Sequence, residues 1–219
     1  VAIFGSTDFY GSDSREICTA IGQQLAERCG KRVVLLTGAN AVVHEAISRP
    51  FFKSLSGEGQ VFHLTPKGCG CPFGDFGQVL TAGSNSIERR QLLASCAHAA
   101  IAVEGGPGTA DEIRRAQAAG VPVLPVARTG GASAPAHAEG PVPKGVSAES
   151  WRLLANKDIK VDVCASAVVD AISALMEAAQ SSHRPQGHPG GAPASGNGAA
   201  AAAAVKEGAS ASRCTCVVQ

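Results

Sequence analysis

The chain has 219 residues, 45% of them hydrophobic, enough to enclose one sizeable core, and length alone predicts one domain. Lysine plus arginine (19) nearly balances aspartate plus glutamate (18), and the formal charge of +1 lacks the basic surplus of a nucleic-acid binder, so no nucleic-acid partner is expected. No run approaches the roughly 20 apolar residues that a membrane span needs, and the eight cysteines are scattered through apparent helices and loops, which fits a reducing, cytoplasmic compartment.

Val1 to Ser6 reads as a first strand running into a Gly-Ser turn. Val1 stands directly in that strand with no methionine before it, which leaves room for an upstream segment, a transit peptide included. Asp13 with Glu16 has the spacing of a capping box, and Ile17, Ile21 and Leu25 recur at helical spacing up to Gly30. Arg32 to Gly38 reads as a second strand, and Gln60 to Leu64 as a third, ended by Pro66 and a glycine-rich loop. In that loop Cys69-Gly70-Cys71 reads as a dithiol; no second cysteine or histidine pair at ligand spacing accompanies it, so no metal is expected.

Ser86 to Leu93 has a helical pattern, and Ala99 to Val103 is short and apolar, as a buried parallel strand should be. The run Glu104-Gly-Gly-Pro-Gly-Thr-Ala-Asp-Glu112 then turns this strand into a helix through a glycine loop. Thr109 followed by Glu112 has capping-box spacing, which predicts a helix from Thr109 to about Ala119. Gly105, Gly106 and Gly108 let backbone amides approach a ligand, and the helix N-terminus adds partial positive charge, so the expected ligand is an anion, a nucleotide phosphate first of all.

A strand follows at Val121 to Val126, and Arg128 to Gly145, rich in Gly, Ala and Pro, reads as a long surface loop. Helices are predicted around Ser150 to Ala155 and Ala165 to Gln180. Alternation of strand and helix predicts an α/β fold: a doubly wound, mostly parallel, Rossmann-like sheet over residues 1–180, whose ligand crevice lies beyond strand ends carrying Gly5, Gly38 and Gly105. Residues 181–219 shift to Gly, Ala, Pro and Ser and read as a flexible tail. The tail ends in Cys216-Val217-Val218-Gln219, the pattern read by protein farnesyltransferase, so a peripheral membrane tether through Cys216 is expected, with Cys214 available as a second acyl anchor.

Glu88-Arg89-Arg90 and the glycine loop together resemble the Lonely guy family of cytokinin-activating phosphoribohydrolases, whose pattern is an arginine-led pair on a helix, an apolar strand, then Pro-Gly-Gly-x-Gly-Thr-x-x-Glu. The likeness extends to the Gly5-Ser6 turn, to the second strand ending at Gly38 and to Glu45-Ala46-Ile47-Ser48-Arg49 in the helix after it. This chain has Ala39-Asn40-Ala41 where the family continues with glycines, and Glu104 where it carries proline; a carboxylate there would repel an anion unless it faced a ribose hydroxyl.

The resemblance implies cleavage of the N-glycosidic bond of a nucleoside 5′-monophosphate, without a cofactor. Glu112 is then the catalytic carboxylate, Arg89 holds it or the substrate, and Gly105, Gly106, Gly108 and Thr109 receive the phosphate. Gly5, Ser6, Gly38 and Arg90 would lie beside the nucleotide, in a homodimer or larger assembly. The competing readings are structural: Glu112 as a capping residue, and Arg89 on a solvated helix face. A competing function is also open, since the same pattern is similar to molybdenum cofactor carrier proteins, which bind an anionic pterin phosphate without catalysis.

Overall fold

The computed structural model describes residues 1–39 and 42–182. Six strands, β1 (Ala2–Gly5), β2 (Leu35–Thr37), β3 (Val61–Thr65), β4 (Gln78–Thr81), β5 (Ala100–Val103) and β6 (Val123–Val126), form one sheet in which every pairing is parallel. Their order, β4-β3-β2-β1-β5-β6, runs outward from β1 in both directions. The chain therefore reverses its winding between β1 and β5, and the carboxyl ends of those two strands flank the crevice where such sheets bind ligands.

Side chains alternate across the two faces, as period-two geometry demands. Ile3, Ile101, Val103 and Leu124 face a core closed by α1 (Ser14–Cys29), α2 (Val42–Ser54) and α7 (Val161–Ser182). Ala2, Phe4, Ala100, Ala102 and Val123 face the other way, towards α3 (Ser86–Ser95) and α4 (Pro107–Ala118). Both faces of β5 are sealed and all four of its residues are buried, which is why its sequence is an unbroken apolar run.

The structure corrects several expectations. The glycine-rich loop after β3 contains β4, an edge strand whose Gln78, Val79 and Thr81 are exposed; with little to bury, it carries no alternation to read. The stretch expected as a long loop folds into a 3-10 turn, Ala127–Thr129, and α5 (Ser133–Glu139), which packs on β6 despite its alanine and proline content. Asp13 is the N-cap residue of α1 without a side-chain capping bond; its carboxylate instead pairs with Arg128, beyond β6. The last helix continues through Ser182, past the expected tail boundary, and the remaining tail with Cys214 and Cys216 lies outside the described residues. No helix among the described residues is long and apolar enough to cross a membrane.

Candidate active site

Helix α4 begins at Pro107, with Gly106 as its N-cap. Proline suits that first position because its missing N–H has no partner to lose and its φ is already helical. Thr109 is thus inside the helix and not its cap, and Glu112 is no capping glutamate, which corrects the capping-box reading. Thr109 Oγ1 donates to the carbonyl of Gly5 at 3.1 Å and ties α4 to the end of β1. Gly105 is required by conformation, with φ +96° and a position where a Cβ would stand 2.3 Å from Thr109 Cβ. Gly106 and Gly108 instead face open space. Ala110 is the first amide of the helix to find a carbonyl, that of Gly106 at 3.0 Å, so the amides of Gly108 and Thr109 point unpaired from a positive helix end.

Across this opening lies a buried ion pair. Arg89 on α3 is 3% exposed and its Nη1 donates to Glu112 Oε1 at 2.9 Å, so Arg89 does not belong to a solvated face. The helix is registered for this contact by Asn85, whose side chain accepts from the amides of Ile87 and Glu88. Only Oε1 of Glu112 is engaged, leaving Oε2 for chemistry at the pocket wall. Burial pushes the Glu112 carboxyl up, to about 7, against the pull of Arg89. Arg90, next in the chain, pairs with Asp111 at 3.2 Å and braces α3 against α4 at the pocket rim.

Gly38 stands directly behind the pair. A Cβ there would lie 2.0 Å from Arg89 Nη1 and 2.9 Å from His44 Cε1, so residue 38 must be glycine for the two side chains to occupy their places. His44 on α2 is 1% exposed, and neither ring nitrogen completes a well-formed hydrogen bond, although the backbone of Ile3 approaches the ring; Arg89 Nε is likewise buried and unpaired. Buried polar atoms are rarely left unsatisfied, and three at one wall are an observation independent of the helix end that points to a ligand.

Desolvation, with Arg89 adding to it, lowers the His44 pKa to about 3, so the ring stays neutral. The unfolded chain takes up the proton near the ordinary value of 6.5. His44 therefore contributes stability that is complete above pH 6.5 and is lost as pH falls towards 3, at up to about 1.4 kcal/mol per pH unit. Chemical denaturation between pH 6.5 and 4.5 should show this slope as the difference between wild type and His44→Leu; parallel curves for the two proteins would contradict it.

Glu104 is fully buried and holds φ +53°. Its carboxylate does not line the pocket; it accepts from the amides of Tyr10 at 3.1 Å and Gly11 at 2.8 Å, pinning the β1–α1 loop. Its own N–H donates to Thr129 Oγ1 at 2.9 Å, and that hydroxyl donates onward to the carbonyl of Val126. The expected repulsion is therefore replaced by an anchor. Glu104→Ala should lower stability by about 1.5–3 kcal/mol, the range for hydrogen bonds to charged groups, and should speed amide exchange at Tyr10 and Gly11; protection unchanged there would remove the anchoring role.

These elements enclose a pocket of about 390 Å³, within the usual span of small-molecule sites, about 300–1,000 Å³. Of the residues named from sequence, Gly5, Ser6, Arg89, Arg90, Gly106, Gly108, Thr109 and Glu112 line it, while Gly38 and Gly105 stand behind it. Tyr10, His44 and Ser86 line it too and were not expected; His44 could have been noticed as the one ionisable ring just after the Gly38 strand end. A larger cavity of about 790 Å³ lies between α4, α5 and β6, but its walls are mainly aliphatic and none of the expected site residues reaches it.

The profile of the SLOG cluster4 family, a Lonely guy-like group, matches residues 1–144, and the chain belongs to that family. Among solved structures, the structural-genomics target TM1055 is similar with a TM-score of 0.52 and 26% identity, over 60% of this chain and 76% of that one. A molybdenum cofactor carrier protein from Chlamydomonas reinhardtii is similar with a TM-score of 0.47 and 20% identity, over 56% of this chain and 72% of that one. No curated protein matches the chain.

Proposed function

We propose that this protein hydrolyses the N-glycosidic bond of a nucleoside 5′-monophosphate, releasing the base and ribose 5-phosphate. The observation that carries the reading is the buried Arg89–Glu112 pair facing the unpaired amides of Gly108 and Thr109 in one pocket. The amides and the helix end receive the 5′-phosphate. As the C1′–N bond breaks, its electron pair leaves with the base, which takes up a proton, and positive charge grows on the sugar. Glu112 stabilises that charge, accepts the proton lost by the water that forms the new C1′–O bond, and releases it to solvent, from which the departing base takes its own, so the carboxylate is regenerated. A carboxyl near 7 is matched to this task at neutral pH, while Arg89 holds its Oε1 in place.

Incubation with a panel of nucleoside 5′-monophosphates, with free base and ribose 5-phosphate read by chromatography, tests the proposal. Equimolar release of both supports it; tight binding of the monophosphates without release makes the protein a carrier instead. We further propose that the folded domain, through the end of α7, binds the nucleotide as a homodimer or larger, and that the tail beyond it serves as a tether through a farnesylated Cys216.

A further inference from the structure

We infer that Tyr10 is the stacking platform of a subsite for a planar heteroaromatic ring, so that the pocket takes a phosphorylated ribosyl compound by both ends: phosphate at Gly108 and Thr109, ring on Tyr10. The inference rests on the reading of the pocket as a ribosyl-phosphate site and names the second half of its ligand.

Tyr10 is the chain's only tyrosine, is 73% exposed and lines the same pocket as the glycine turn. Exposed single aromatics are ordinary on protein surfaces, and what separates this one is how it is held. Its neighbour Phe9 turns inward to pack against the core, with the Arg15 guanidinium 4.8 Å above its ring, and this fixes Tyr10 as the residue that points out. Its own amide and that of Gly11 are bound by Glu104, a buried carboxylate on a backbone of positive φ, a costly arrangement that persists where the surrounding structure has a use for it. Residue 11 must be glycine for that grip, since a Cβ would stand 2.5 Å from Ser14 Oγ and 3.3 Å from Glu104 Oε1.

Glu104 is also the residue immediately before Gly105. One side chain therefore sets the position of the Tyr10 loop relative to the phosphate turn, as a site that must measure the length of its ligand requires. A tyrosine ring offers a flat apolar face to any base, with little rotamer freedom to lose.

The test is calorimetric titration of adenosine 5′-monophosphate and of ribose 5-phosphate, in a Glu112→Gln background that prevents turnover. Tyr10→Ala should weaken the nucleotide roughly 5- to 150-fold, the range for one base–aromatic stack, and leave ribose 5-phosphate unchanged, while Tyr10→Phe keeps the parent affinity for both. Unchanged nucleotide affinity in Tyr10→Ala overturns the platform, with ribose 5-phosphate binding still vouching for the phosphate site. A Phe variant as weak as the Ala variant assigns the effect to the hydroxyl and also overturns it. Equal loss of both ligands in Tyr10→Ala makes Tyr10 a support of the loop and not a platform for the ring, and overturns the inference as well; no binding of either ligand by the parent removes the ribosyl-phosphate reading and the platform with it.

Discussion

Glu112→Gln is expected to lower turnover of a nucleoside 5′-monophosphate by roughly 10²- to 10⁴-fold, the contribution of a positioned acid–base group, with little change in substrate binding. Glutamine is nearly isosteric and can still accept the Arg89 Nη1–H on its amide oxygen, so the buried contact at 2.9 Å persists while the charge is gone. The pH dependence separates this from a packing effect. In the proposed reaction the ionised carboxylate is the working form, so wild-type kcat/KM should rise about tenfold per pH unit on the acid side and level off above about 7, where burial has placed the Glu112 carboxyl. The glutamine variant should lack that limb. A variant with wild-type turnover would reduce Glu112 to a structural partner of Arg89, and a wild-type profile flat from pH 5 to 8 would remove its ionisation from the mechanism.

How much of this was legible in the sequence depended on the range of the interactions. The α/β class and the winding followed from local runs such as Ala100–Val103, buried on both faces, and the glycine turn followed because Gly105 to Glu112 is contiguous. Arg89 and Glu112 could be placed together only through the resemblance, since 23 residues separate them and charge patterning read Arg89 as solvated. The capping-box spacing of Thr109 and Glu112 misled because Pro107 starts the helix earlier and the same spacing then serves two other bonds, to Gly5 and to Arg89. Glu104 could not be read at all from local pattern: its partners Tyr10 and Gly11 are 94 and 93 residues away, and only the β1–β5 pairing brings them beside it. His44 was obscured in the same way, since its neighbour Arg89 comes from a helix on the far side of two intervening strands in the chain order.

The second large effect expected is on stability. Arg89→Met removes the guanidinium and leaves the Glu112 carboxyl, 4% exposed, without its cation. Breaking a buried pair from one side typically costs about 3–5 kcal/mol, because a charge remains with nothing to compensate it. The chain can escape part of that cost by keeping the carboxyl protonated, since loss of Arg89 removes the first of the influences that oppose burial and raises the Glu112 pKa further. A group whose folded pKa lies above its unfolded value of 4.5 contributes stability present at low pH and lost as pH rises through the folded pKa, so Arg89→Met should be nearer wild type at pH 5 than at pH 8. Adding Glu112→Gln removes the charge that causes the loss, and the double variant should regain most of the stability at pH 8 while remaining inactive. Denaturant titrations of the four proteins at both pH values decide the matter. Additive losses, with no recovery in the double variant, would mean that Arg89 and Glu112 are not energetically coupled and that the arginine stabilises α3 by packing beneath Gly38 instead.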